Sequence, residues 1–210
     1  YYSALEMAKA VFKIARDIGY EFNIIDIGGG FPGLQDDMAT RLLADIAKEV
    51  RRGLVDFFAP EYNIPHLECD RDADGLPTLE LIAEPGRFFV QSSHTLLVNI
   101  IGKKVKYAPD TQENLYYYYL NDGIYGSFNC LVFDHAKAEV LPYNERDGAR
   151  YKSVIFGPTC DSVDKISANV ELPELEIGEW CFVKNFGAYT VAAASDFNGF
   201  TKLKAFYVLC

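Results

Sequence analysis

The spacing of apolar residues changes once along this chain, near residue 92, and that change limits it to two joined architectures. Before it, Leu5, Ala8, Phe12, Ala15 and Ile18 recur at helical spacing, as do Met38, Leu42, Ile46, Val50, Leu54 and Phe57. Ser3 and Glu6 have the spacing of a capping box for the first helix, and Gly19 is placed to end it. Two short apolar runs, residues 22–27 and 79–83, read as strands buried on both faces. Helix, strand, helix, strand predicts an α/β unit with a parallel sheet or barrel over residues 1–92. Residues 93–210 instead carry the runs HTLLVNIIGKKVKY, LYYYYL, CLVFDH, KSVIFG, EWCFVKN and TKLKAFYVL. These are rich in β-branched and aromatic residues and separated by Gly, Pro, Asn and Asp, which predicts an all-β domain.

The 210 residues carry a formal charge of −10, which argues against nucleic acid or an anionic membrane as partner. No apolar run is long enough to predict a membrane span. Cys69, Cys130, Cys160, Cys181 and Cys210 are odd in number and widely spaced, which points to reduced thiols in a cytoplasmic protein. His66, His94 and His135 lack ligand spacing, so no metal centre is expected. Neither YYSALEMAKA nor FYVLC reads as a natural terminus, and a longer parent protein is expected.

The stretch DIGGGFPG, residues 26–33, contains G-x-G-x-x-G at Gly28, Gly30 and Gly33. A dinucleotide site needs a second strand ending in an acid about 20 residues on, and KEVRRG lies there inside a helical pattern. Two readings stay open: a turn only glycine can make, or a loop whose amides, with the amino end of a following helix, hold a phosphate. Glu84-Pro85-Gly86-Arg87 follows the next strand, as a turn with an ion pair or as a second ligand-binding segment. There Arg87 suits a phosphate and Glu84 suits a pyridine nitrogen. The β half adds Asp122 in NDGIYGSFN, Cys160 and Asp161 in GPTCD, and Tyr189 and Phe197 in NFGAYTVAAASDFNG. Each is open between turn or core chemistry and function.

In order, DIGGGFPG, AEPGRFFV, NDGIYGSFNC, GPTCDSVD and GAYTVAAASDFNGF resemble the eukaryotic ornithine decarboxylases over essentially the whole chain. Those enzymes depend on pyridoxal phosphate and have an alanine-racemase-like fold. The resemblance implies the last part of a (β/α)8 barrel in residues 1–92. A β-sandwich or barrel-like C-terminal domain would follow in residues 93–210. It implies Gly28, Gly29 and Gly30 as the phosphate loop, Arg87 and Tyr189 as further phosphate partners, and Glu84 on the pyridine nitrogen. Asp122 and Asp161 would receive the distal ammonium of ornithine, Phe197 would wall the pocket, and Cys160 would deliver the proton that replaces carbon dioxide. The site would be shared across a homodimer, with an antizyme-type protein as a further partner.

The family's Schiff-base lysine belongs to the earlier barrel half, and none of the lysines here lies in a matching motif. A chain lacking it is expected not to catalyse alone. A catalytically silent antizyme-inhibitor-like protein and a decarboxylase of lysine, arginine or diaminopimelate are the alternatives. The acid pair suits a terminal ammonium, whereas diaminopimelate calls for a cationic group.

Overall fold

The computed structural model describes residues 1–67, 75–109, 112–144 and 146–208; Cys69 and Cys210 lie outside the described residues. The chain divides into two compact units, Tyr1–Phe89 and Val90–Cys210.

The first unit contains α1 (Tyr2–Asp17), β1 (Ile24–Asp26), α2 (Asp37–Phe57) and β2 (Glu80–Ile82), and leads into α3 (Gly86–Val90). The Gly19 amide bonds to the Arg16 carbonyl and the Tyr20 amide to that of Ala15, with Gly19 at φ +92°. This pair of bonds closes the helix end and requires the left-handed conformation that glycine takes without strain. The predicted capping box does not form. Ser3 and Glu6 lie inside α1, and the N-cap position falls on Tyr1 without a side-chain bond. At α2 the cap is Asp36, whose side chain accepts from the Ala39 amide.

Strands β1 and β2 pair in parallel, Ile24 opposite Glu80 and Asp26 opposite Ile82. Leu5 and Phe12 of α1 pack with Val50 and Leu54 of α2, and with Ile25, Phe58 and Leu79. The helices approach closely at Gly53, where a Cβ would stand 2.7 Å from Leu5 Cδ1. The predicted apolar stripes are only partly used: Ile18, Met38 and Leu42 are exposed. Neither strand is buried on both faces: of β1 only Ile25 is buried, against the helices, and no residue of β2 is buried. Ile24, Leu81 and Ile82 are exposed.

The second unit is a mixed sheet of β3 (Leu96–Ala108), β4 (Glu113–Leu120), β5 (Leu141–Pro142), β6 (Tyr151–Phe156), β7 (Lys165–Leu172) and β8 (Trp180–Val183). Its order is β5-β8-β3-β4-β6-β7. Every pairing is antiparallel except β4 with β6, which runs parallel. Strand β3 serves two neighbours: Leu96 to Asn99 pair with β8, and Ile100 to Ala108 pair with β4, with a register shift between Ile100 and Gly102. Tyr116, Tyr118 and Leu120 of β4 point into a core that includes Val98, Ile100, Phe128, Ile155 and Leu175. The buried Tyr118 hydroxyl accepts from the Leu175 amide at 3.0 Å, so its polar tip is satisfied.

Two predicted strands are absent. CLVFDH forms a four-residue helix, α4 (Cys130–Phe133), after a 3-10 turn, burying Cys130 and exposing Val132 and Phe133. Residues 201–208 of TKLKAFYVL pair with no strand among the described residues. Conversely, β7 carries no sequence signal strong enough to predict it: only Ile166 and Leu172 of its eight residues are buried. The six strands and short helical turns agree with a predominantly β unit.

Candidate active site

Each unit gathers candidate residues where two parallel strands end side by side, so that the loops leaving their carboxyl ends are neighbours.

In the first unit the glycine loop follows β1, and the segment holding Glu84 and Arg87 follows β2. The Ile27 amide bonds to the Ile82 carbonyl, and the Glu84 amide to the Gly28 carbonyl at 2.9 Å. Gly28 and Gly30 lie at φ +67° and +87°. Gly29 is constrained by space instead: a Cβ there would stand 2.8 Å from the Glu84 carbonyl oxygen. The Tyr1 hydroxyl bonds to the Gly29 carbonyl at 2.5 Å. The Gly28 amide is already held by the Asp26 carboxylate at 2.8 Å. Among the described residues, the Gly29 and Gly30 amides donate to no other group. Successive amides in alternating backbone conformations form a concave anion site. Helix α2 begins at Asp37, seven residues beyond Gly30, and the Asp36 carboxylate takes the Ala39 amide of its first turn. Glu84 is exposed, and Arg87 is half-buried in α3.

In the second unit, residues 121–127 follow β4 and residues 157–164 follow β6. Asp122 is 5% exposed. One of its carboxylate oxygens accepts from the Gly123 amide at 2.8 Å and the Ser127 amide at 3.1 Å. Burial pushes its carboxyl above the usual range, against the pull of Ser127 and the Gly123 amide. Asp161 has the opposite environment. The Tyr125 hydroxyl donates to it in a short bond and the Val163 amide donates at 3.0 Å. Led by the Tyr125 bond, these contacts hold its carboxyl below the usual range. The Tyr125 ring stacks on Phe197 with centroids 4.0 Å apart. Cys160 is an exposed free thiol, and the Asn198 side-chain amide donates to its sulfur at 3.4 Å. Thus Asp122, Tyr125 and Phe197, dispersed in sequence, line one small pocket, while Asp161 is joined to that wall through the Tyr125 hydroxyl and Cys160 through the Asn198 side chain.

Sequence reasoning missed Asp164, which holds this corner together. It is fully buried, and its carboxylate accepts from the Ile124 amide at 2.9 Å, the Thr159 amide at 3.0 Å and the Thr159 hydroxyl at 2.7 Å. A Cβ on Gly123 or Gly157 would collide with that carboxylate, and one on Gly126 would collide with Asp122. Roles for Tyr125 and Asn129 were likewise not visible. The buried Asn129 side chain donates to the carbonyls of Gly126 and Thr190, tying the 121–127 loop to the segment bearing Tyr189. Tyr189 itself is half-exposed at φ +57°. Its segment is drawn against the start of the unit at Gly187, where a Cβ would collide with the Val90 carbonyl. Among the described residues no cluster of His, Cys, Asp or Glu suits a metal ion, and no helix is long and apolar enough to cross a membrane.

Residues 22–187 match the model of the pyridoxal-dependent decarboxylase C-terminal sheet domain, and the chain belongs to that family. It is 41% identical to the ornithine decarboxylase of Cricetulus griseus and, over the same span, 41% identical to antizyme inhibitor 2 of Xenopus laevis. Both matches cover 100% of this chain and 44% of the relative, so the chain spans under half the length of the curated proteins it matches. Among solved structures, it resembles the arginine decarboxylase of Paramecium bursaria Chlorella virus bound to agmatine. That match has a TM-score of 0.77 and 33% identity, over 96% of this chain and 48% of that one. The lysine/ornithine decarboxylase of Vibrio vulnificus complexed with cadaverine matches at a TM-score of 0.74 and 32% identity, over 96% and 49%.

The donor set at the first cluster fits the family's cofactor. Free amides at Gly29 and Gly30 suit a phosphate, and the left-handed glycines leave the loop without a side chain on that cradle.

Proposed function

We propose that the protein containing this chain is a cytoplasmic, pyridoxal-phosphate-dependent decarboxylase of L-ornithine, forming putrescine for polyamine biosynthesis. On this reading residues 1–92 are the last part of a (β/α)8 barrel and residues 93–210 its C-terminal β domain. The observation that carries the substrate class is the pairing of Asp161 with Tyr125 beside Asp122 and Phe197. An ionised carboxylate held by a phenol, under an aromatic wall, suits the ammonium end of a short aliphatic chain.

Gly29 and Gly30 bind the phosphate through their amides, and Gly28 shapes the loop while its own amide stays on Asp26. Arg87 and Tyr189 are further phosphate partners, and Glu84 contacts the ring nitrogen. When bound, the cofactor supplies the electron sink that accepts the pair left as carbon dioxide departs. Asp161 and Asp122 fix the far end of the substrate, and Phe197 excludes water from its methylene chain. Cys160 Sγ holds the proton that replaces carbon dioxide. The site is shared in a homodimer, with Cys160, Asp161 and Asp122 serving the partner's cofactor.

The equal identity to an antizyme inhibitor supports a second reading, a silent relative that binds an antizyme-type regulator. The full-length protein, loaded with pyridoxal phosphate and given ornithine, lysine or arginine, separates the two. Diamine formation with a preference for ornithine is expected. The Arg87→Ala variant should lose cofactor affinity first. Absence of any amine product from all three substrates, with capture of antizyme, would overturn the enzyme reading.

A further inference from the structure

The turn at residues 196–199 carries two side chains that address the second-unit pocket in different ways. Phe197 stacks on Tyr125, and Asn198, one residue later, turns its amide onto the Cys160 sulfur. Adjacent side chains reach both targets because Asn198 adopts φ +55°, ψ +22°. That left-handed conformation is costly for most residues and tolerated by asparagine. Glycine would also adopt it, but has no amide to offer. Asparagine therefore combines the backbone conformation with a donor aimed at the thiol.

We propose that Asn198 is a positioning residue for Cys160, holding its sulfur by a side-chain N–H bond that favours the thiolate. The role of the thiol rests on the decarboxylase reading; the contact itself does not. When the S–H bond breaks, the proton goes to the substrate carbon that has lost carbon dioxide and the electron pair stays on sulfur. The Asn198 N–H faces that sulfur, so the bond strengthens as the charge appears. The same contact leaves the S–H free to point elsewhere, because the sulfur accepts from Asn198. The ionisable groups on the elements that meet the thiol are Asp161 and Asp164 on its own loop, Tyr125 on the neighbouring loop, and Asp196 at the start of the turn that bears Asn198. Among the groups named, the Asn198 amide is the neutral donor on the sulfur.

The test is alkylation of Cys160 by iodoacetamide in the full-length protein, followed peptide by peptide by mass spectrometry at pH 7 and pH 10. Only the thiolate reacts, so the ratio of the two rates reports its stabilisation at neutral pH. Asn198→Gly keeps the left-handed turn and removes the donor. It should lower the ratio on the order of three- to tenfold, as loss of one hydrogen bond implies. Asn198→Asp, which sets a carboxylate on the sulfur, should lower it further. A change in access alone would alter both rates together; an unchanged ratio in Asn198→Gly overturns the proposal. If the wild-type protein forms no diamine while the ratio still falls in Asn198→Gly, the decarboxylase reading fails and the Asn198 contact stands.

Discussion

Replacing Asp164 by alanine isolates the device that holds the second-unit pocket in shape. Its carboxylate is fully buried and receives the Ile124 and Thr159 amides and the Thr159 hydroxyl. Alanine removes both acceptor oxygens, and with them three hydrogen bonds, and leaves two amides with nothing to bond. A buried donor left unsatisfied costs about 1 to 3 kcal/mol. Ile124 is buried, but Thr159 is only half-buried and can recruit water. A net loss of about 2 to 4 kcal/mol follows, against a typical total of about 5 to 15 kcal/mol. Each 1.4 kcal/mol is a factor of ten in an equilibrium, so local opening becomes roughly 30- to 1,000-fold more populated. Hydrogen exchange of the full-length protein, read by mass spectrometry, measures this directly. Peptides covering residues 121–127 and 157–164 should exchange faster by that factor, while those from β3 and β7 should change far less. Asp164→Asn should fall between, since it keeps one acceptor oxygen but turns an amide toward existing donors. If Asp164→Ala leaves both segments within about threefold of wild type, the carboxylate is not what joins them.

Asp122→Asn should change how stability depends on pH. Burial holds the folded carboxyl above its unfolded value of 3.8, so its contribution is fullest below 3.8 and is lost as pH rises through the folded value. The variant should gain on wild type in urea-unfolding midpoint as pH rises above 3.8; a pH-independent difference would refute this. Gly29→Ala sets a Cβ 2.8 Å from a backbone oxygen that cannot swing aside. The loops after β1 and β2 must separate, and pyridoxal-phosphate affinity should fall about tenfold or more, by titration of cofactor fluorescence, for an overpacking cost of about 1 to 3 kcal/mol. An unaltered affinity would show that the loop does not hold the phosphate.

The helices and the stronger strands were legible because periodicity survives burial on one side. Val50 and Leu54 are buried as their spacing implies. CLVFDH misled because β propensity over a few residues yields to context, here a 3-10 turn that continues into α4. Strand β7 was hidden for the converse reason: as an edge strand it buries little, so its sequence carries scant apolar pattern. At the site, the residue types of Asp122, Cys160, Asp161 and Phe197 could be singled out, but not their meeting. Asp164 was invisible because its partner amide at Ile124 lies 40 residues away in sequence. Gly29 was noticed as a glycine, yet the reason for it, the approach of Glu84, comes from the pairing of two strands.

The parallel pairing of β4 with β6 also bears on how the chain folds. Hairpin-like neighbours such as β3 with β4 and β6 with β7 close over short connections, whereas β4 must wait for residues 121–150 to return before it meets β6. Until then Asp164 has no Ile124 amide to receive, and the carboxylates of the pocket stand apart. The β3-β4 and β6-β7 ribbons can therefore form early and separately, each with an unpaired flank bearing Tyr117 and Tyr119 or Val154 and Ile155. Such flanks invite pairing with another chain. The step that completes the pocket is thus also the step that takes these two edges out of reach of another chain.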